Sequence, residues 1–597
     1  MHDLRSLLEI RQAYPLSFSP DGERLLVASS VPGTLQLFAV PARGGEPEQL
    51  TDFAEPVGGT FLPDGRVLVE MDKGGNERTQ LYILDGGELE PLVVDTRFIH
   101  RTPHVHGDLL AYTTNRRNGV DFDVVARSLS SGEERTFELG GNIGVEAISP
   151  DGRWIAVERV GDRSGDNDLY LCDVETGAIE HATPHEDAAE FYAPVWIDGS
   201  LVLASNEERD TFAIVRDRSA VYASEWDLAC AADEAGRNLL VLANEDGYSR
   251  LTLLDPATFE ARGDVPLPGR GLAEYPVFSP DGSLLAFSFS SPVESRDVYL
   301  YDFDSSELTR LTTSPRAVDP AQLVEPTLHR FESFDGESVP VFLFEPPGDG
   351  PFPIVVTVHG GPESQWLPWF SPSFAPLTQY LVSRGYAVAA PNVRGSSGYG
   401  KRYQALDDVE KRLDSVRDLA SLHEWLSERP SIDGSRAVVY GRSYGGYMVL
   451  AALAFQPELW AAGLEAVGIS SLVTFLRNTS DYRRAARERE YGSLANDLDF
   501  LERASPMTYI DAIRAPLFIQ HGRNDPRVPV SESEHIHAVL TEKGIPCELL
   551  IFEDEGHTVE KLRNRIETFT RMTAFLDRVL APQPGTMGAA KAPWPSG

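Results

Sequence analysis

Arg436-Ala437-Val438-Val439-Tyr440-Gly441-Arg442-Ser443-Tyr444-Gly445 is the stretch that decides the fold. The β-branched and apolar run from Arg436 to Tyr440 reads as a buried strand, and Tyr447 to Phe455 beyond it reads as a helix. Gly-x-Ser-x-Gly between a strand and a helix exposes a serine hydroxyl on a strained turn. The glycines are needed where strand and helix approach too closely for side chains. Ser443 is thereby the candidate nucleophile.

Outward from this turn, short strands alternate with helices. Ile354–Val358, Tyr386–Ala390, Val438–Tyr440, Leu517–Gln520 and Leu549–Phe552 read as buried strands of a parallel sheet. Ser415–Glu428, Ser531–Lys543 and Asn564–Leu580 supply helices, and Glu325–Glu345 reads as two strands around Phe334-Asp335-Gly336. The expected fold of this half is an α/β-hydrolase with a doubly wound, mostly parallel sheet.

The first half carries a repeat instead. Ser19-Pro20-Asp21-Gly22, Leu62-Pro63-Asp64-Gly65, Ser149-Pro150-Asp151-Gly152 and Ser279-Pro280-Asp281-Gly282 are one turn written four times, each followed by an apolar strand. Weaker copies at Val105–Asp108, Trp196–Gly199 and Asp233–Gly236 bring the total to seven. The mean spacing from Asp21 to Asp281 is about 43 residues, the period of a four-stranded propeller blade. The expectation is a two-domain chain, an all-β seven-bladed β-propeller followed by the α/β-hydrolase. Residues 1–14 form an N-terminal extension, 15–315 the propeller, 316–580 the catalytic domain, and 581–597, rich in Pro, Gly and Ala, a disordered tail.

Composition narrows the partners. The 597 residues carry 53 basic and 91 acidic side chains, a net charge of −38, which repels nucleic acid and anionic lipid. Only six of the basic residues are lysines, a bias that both a GC-rich genome and a high-salt habitat produce. Cys172, Cys230 and Cys547 fit neither a disulfide framework nor a zinc spacing. With no signal peptide or membrane-length apolar run, the expected location is cytoplasmic.

Two more groups complete the chemistry. In an α/β-hydrolase the acid and histidine follow the serine in that order, on loops after strands. Asp525 follows Leu517–Gln520, and His557 follows Leu549–Phe552. Ser443, Asp525 and His557 are the expected triad. His535 and His537, two apart on a predicted helix, are surface residues. The oxyanion needs N–H donors, assigned to Tyr444 after the nucleophile and Gly361 in His359-Gly360-Gly361-Pro362. No cofactor and no metal are expected, since this machinery supplies the electrostatics. Glu207-Glu208 reads as solvated loop charge, Arg116-Arg117 as paired surface arginines, and His100, His104 and His106 as a set without metal.

These motifs, with Asn392-Val393-Arg394-Gly395-Ser396-Ser397-Gly398-Tyr399-Gly400 and Asp525-Pro526-Arg527-Val528-Pro529, resemble the prolyl oligopeptidase family of serine peptidases, in its acylaminoacyl-peptidase-like and dipeptidyl-peptidase-like branch. The resemblance implies hydrolysis of short peptides through an acyl-enzyme, in a cavity that the propeller closes to large proteins. It implies an acylaminoacyl-peptidase-like exopeptidase or oligopeptidase. The alternatives are a carboxylesterase on small acyl esters, or a carboxypeptidase or dipeptidyl peptidase of the same family. It also implies substrate contacts at Arg527 and Val528, pocket walls at Tyr444, Phe475 and Tyr482, a bracing role for Arg394, and pairing of copies into homo-oligomers.

Overall fold

The computed structural model describes residues 2–580, so the tail expected at 581–597 lies outside the described residues. Seven four-stranded antiparallel sheets form the first half, and one eight-stranded sheet forms the second. The first blade comprises Ala13–Phe18, Arg24–Ser29, Gln36–Pro41 and Glu48–Gln49; the last comprises Leu272–Phe278, Leu284–Ser290, Asp297–Asp302 and Glu307–Arg310.

The repeated turn explains why each blade begins as it does. The Ser19 hydroxyl donates to Asp21 Oδ1 at 2.6 Å and accepts from the Arg24 N–H at 2.9 Å, while Gly22 turns the chain at φ +72°. Ser149–Asp151 and Ser279–Asp281 repeat the bond at 2.6 Å. Each serine and aspartate thus satisfies the turn's backbone locally, which fixes a tight reversal between the first two strands. Inner strands are apolar, Leu284–Ser290 being buried throughout, whereas outermost strands such as Glu48–Gln49 and Ala261–Asp264 are short, polar and exposed. Such edges discourage pairing with other chains.

Every blade uses four consecutive strands, so among the described residues no strand is exchanged where the ring closes. The seam is held by Ala13, Leu25 and Val27 packed with Leu284, Ala286 and Val298, and by the Ala13 N–H donating to Arg296 O at 2.9 Å.

The hydrolase sheet runs Thr327–Glu332, Ser338–Phe344, Ala387–Pro391, Phe352–Val358, Ile432–Arg442, Ala462–Ala466, Leu517–Gly522, Cys547–Phe552. Its first two strands are antiparallel to their neighbours and the others are parallel. Arg412–Ser427, Tyr444–Phe455 and Ser531–Glu542 cover one face, and Ala375–Ser383 and Leu562–Val579 the other. Ala462–Ala466 is the strand that pattern reading misses. It has no β-branched residue and carries a buried glutamate, Glu465, so it lacks the usual strand signature.

The chain starts on the hydrolase, not on the propeller. A short helix, Leu4–Leu8, is capped by Asp3 and buries Leu4 and Leu8 with Leu377, Leu381, Met572 and Leu576 on the second face. Among the described residues no helix is long and apolar enough to cross a membrane.

Leu8 is 1% exposed, so Leu8→Ala is expected to cost about 2–5 kcal/mol. Leu8→Met, which conserves volume, should cost less than about 1.5 kcal/mol. The check is the urea midpoint of the hydrolase transition; equal midpoints for the alanine variant and the parent contradict the packing role.

Candidate active site

Between the strand Ile432–Arg442 and the helix Tyr444–Phe455 stands a single residue, Ser443, at φ 60° and ψ −119°. A side chain held in that region costs about 1–3 kcal/mol, so the surroundings must enforce it. They do so through backbone contact. A Cβ at Gly441 would lie 2.2 Å from Gly445 O, one at Gly445 2.2 Å from Val358 O, and one at Gly446 2.6 Å from Gly468 Cα. The Ser443 N–H donates to Ala466 O at 2.9 Å, anchoring the turn to the neighbouring strand.

The His359–Pro362 loop sits against this turn. A Cβ at Gly360 would lie 3.4 Å from Ser443 Cβ and 3.2 Å from Arg442 O. The His359 ring is buried, its Nε2 2.8 Å from Ser396 Oγ and its Nδ1 2.7 Å from Gly360 O, which pins the loop. Burial pushes this imidazole down to about 4, so it is a neutral brace. Gly361 follows at φ +134°, a conformation that suits glycine. Tyr444 is the first helical residue, so its N–H is one of the free donors at a helix start. The Tyr444 N–H therefore adjoins Ser443 in the chain, and Gly361 follows the glycine that packs on it.

On the neighbouring loops, His557 Nδ1 lies 2.7 Å from Asp525 Oδ2. Asp525 Oδ1 accepts from the Arg527 and Val528 N–H groups at 2.8 and 3.1 Å. Burial alone would raise the Asp525 carboxyl. The His557 imidazole and the hydrogen bonds from His521 and His557 outweigh it and hold the group well below the usual carboxylate range. Burial pushes His557 the other way, down to about 4 against the pull of Asp525, so its ring is neutral near pH 7. The Arg442 guanidinium donates to the His557 carbonyl and the Thr558 hydroxyl, fixing the histidine loop from the serine's side.

His521 is a functional neighbour that strand-and-loop reading passes over. Its Nε2 lies 3.5 Å from Asp525 Oδ2 and 2.9 Å from Val528 O, and its Nδ1 2.7 Å from Ser533 Oγ. Its position four residues before the acid, at a strand end, was the available signal.

The propeller reaches into this assembly. Asn524 Nδ2 donates to Gly74 O at 3.0 Å, and Arg527 pairs with Glu77. A Cβ at Gly75 would lie 2.6 Å from the Gly556 N, and one at Gly522 2.0 Å from Gly556 O. The second blade's Gly74–Glu77 turn thus packs on the loops of both Asp525 and His557.

Of the expected pocket residues, Tyr444, Phe475 and Val528 come together in one buried apolar cluster, Phe475 edge-to-face with Tyr491 at 5.7 Å. Tyr482 is apart from them, packed on Phe122 of the propeller at 5.9 Å. The Tyr444 hydroxyl is 2.7 Å from Ser415 Oγ and 3.0 Å from Asp407. Arg394 is consumed by Asp335 and Asp418, the bracing role expected of it. Arg116 and Arg117 pair with Glu134 and Asp123, and Glu207 with Arg218.

Between the domains lies a cavity of about 420 Å³ that His557 and Arg527 share with Glu70, Asp72 and Glu77 of the second blade. Glu77 is neutralised by Arg527 and by Arg483 at 3.5 Å. Among the described residues Glu70 and Asp72 have no cationic partner within ion-pair distance. Burial pushes the Glu70 carboxyl up to about 7, and burial raises Asp72 as well.

A seven-bladed propeller thus packs on an α/β-hydrolase sheet that carries a strained serine turn and, on neighbouring loops, a hydrogen-bonded aspartate–histidine pair. Residues 372–583 match the prolyl oligopeptidase family model. Dipeptidyl aminopeptidase BIII of Pseudoxanthomonas mexicana is 26% identical over 614 residues, covering 95% of this chain and 86% of the relative. Dipeptidyl-peptidase 5 of Porphyromonas gingivalis is 24% identical over 495 residues, covering 79% and 66%. At the level of fold, the crystal structure of puromycin hydrolase superimposes with a TM-score of 0.85 at 21% identity over 96% of each chain. Residues 372–583 thus carry a domain of the prolyl oligopeptidase family of serine peptidases.

Gly75→Ala sets a methyl group against Gly556 at φ +71°. It is expected to lower kcat/KM at least about tenfold through displacement of the His557 loop, with the circular dichroism spectrum unchanged. Parent-like kcat/KM in that variant contradicts the supporting role of the second blade.

Proposed function

We propose that this peptidase cleaves short peptides through Ser443, Asp525 and His557, and that it favours substrates with a free amino terminus. The observation that carries the catalytic assignment is the 2.7 Å Asp525–His557 hydrogen bond beside a serine forced to φ 60°. His557 Nε2 takes the Ser443 hydroxyl proton as Oγ attacks the scissile carbonyl, and the oxyanion is received by the N–H groups of Tyr444 and Gly361. The proton then passes to the leaving amine, and water repeats the sequence to release the acid. Asp525 holds the Nδ1–H tautomer and stabilises the imidazolium. Arg527 and Val528 contact the substrate, and Phe475 and Tyr444 wall its first side-chain pocket.

The preference for a free amine rests on Glu70 and Asp72. They are carboxylates without cationic partners in the cavity that holds His557, and an ammonium group would satisfy them where an acylated terminus would not. The dipeptidyl aminopeptidase relative supports the same direction.

Ser443→Ala is expected to abolish turnover of aminoacyl and acetyl-aminoacyl reporters, with the melting curve unchanged; undiminished hydrolysis removes the assignment. The acid limb of kcat/KM should lie below the ordinary histidine value of 6.5, toward about 4, because protonation of His557 removes the base. Glu70 is ionised only above about 7, so KM for free-amine peptides should rise as pH falls through that value, while KM for acetylated peptides should not. Glu70→Gln should remove that pH dependence and narrow the free-over-acetylated ratio; a steady ratio contradicts the amine reading.

A further inference from the structure

A second cavity, about 260 Å³, adjoins the first and shares Tyr14, Leu35, Thr558 and Glu560 with it. Its character is opposite. Arg296 and Arg565 line it, with Ser373 and Glu560. Arg296 is paired with Glu274 and lies over the Trp369 ring at 4.2 Å, so its charge is partly spent. Arg565 is different: its Nε is buried without a hydrogen-bond partner, and among the described residues no carboxylate pairs with it. Arg11 Nη1 is likewise buried without a partner. In a chain with 91 acidic residues, a buried guanidinium left without one leaves room for an anion from outside.

The position gives that anion an identity. Arg565 also lines a small cavity with Arg442, the residue before Ser443 that holds the His557 carbonyl. It therefore adjoins Arg442 behind the histidine loop, whereas Arg527, Glu70 and Asp72 line the cavity that holds the His557 ring. A peptide that puts its amino terminus among the carboxylates directs its other end toward Arg565. We infer that Arg565, in the cavity it lines with Arg296, binds the terminal α-carboxylate on the leaving side of a short free peptide. This inference rests on the catalytic reading above, and it names the substrate class more closely: zwitterionic peptides short enough for both ends to lie inside. The two adjoining cavities offer opposite charges to the two ends of such a peptide, with His557 lining the first. The planar fork of arginine matches a carboxylate with two parallel hydrogen bonds.

The test compares Ala-Ala-Ala with Ala-Ala-Ala-amide, which differ only in the terminal charge, using product release by mass spectrometry. The parent should favour the acid in kcat/KM by about tenfold or more, the usual worth of a charge-assisted hydrogen bond. Arg565→Gln should bring the acid-to-amide ratio close to one. Equal kcat/KM values in the parent, or an unchanged ratio in Arg565→Gln, overturn the assignment. Where the glutamine variant shows no melting transition, Arg565→Lys is read instead. A ratio reduced at least about threefold supports the two-pronged contact, and an unchanged one overturns it. Ser443→Ala separates the two readings: turnover surviving in that variant removes the catalytic assignment, while the acid-to-amide ratio still reports on Arg565.

Discussion

A carboxylate drawn out of water survives as an anion only where donors replace the water, and Asp525 organises the molecule around that requirement. Its oxygens collect two backbone N–H groups from its own loop, the His557 ring at 2.7 Å and the more distant His521 ring at 3.5 Å. Each donor fixes a piece of structure: the turn carrying Arg527 and Val528, the histidine loop, and the end of the strand Leu517–Gly522. The same turn then crosses to the propeller through Arg527–Glu77 and Asn524–Gly74. The second blade is therefore part of the support for the reactive groups, beyond its part in closing the cleft.

Electrostatics inside the cleft run against the character of the whole chain. A net charge of −38 predicts an acidic lining everywhere, yet Arg565, without an acid partner, lines one of two adjoining cavities, and Glu70 and Asp72, without cations, line the other. Desolvation raises the worth of both, because neither set is screened as a surface charge is. A separation of this kind orders a ligand before chemistry starts, so less of the binding free energy is lost to disorder at the reacting centre.

What could be read from sequence was what local chemistry determines. Ser-Pro-Asp-Gly satisfies its own turn, so the blades were countable from Asp21 to Asp281. Gly441, Gly445 and Gly446 mark backbone contact, so the serine turn was visible, and the order of acid and histidine narrowed Asp525 and His557 to one choice each. The strand Ala462–Ala466 was hidden because burial, not propensity, makes it a strand. Residues that act by convergence left no trace: Glu77 and Arg527 meet across 450 positions, and Glu70, Asp72 and Arg565 acquire meaning only where two domains face each other. Sequence neighbours misled in the opposite way. Arg116-Arg117 and Glu207-Glu208 catch the eye as pairs, yet Arg116, Arg117 and Glu207 are all bound to nearby charges. Tyr482 shows the same limit from another side, since only the fold reveals that the propeller occupies its ring.

The helices Leu4–Leu8 and Leu562–Val579 cover the same face of the hydrolase sheet, although the whole propeller lies between them in sequence. Each blade is built from consecutive strands and closes on local contacts, whereas that face is covered only when two distant segments meet. The His557 loop leads directly into the later of the two helices. Closure of the hydrolase core and placement of that loop are therefore one long-range event, slower to arise than the blades.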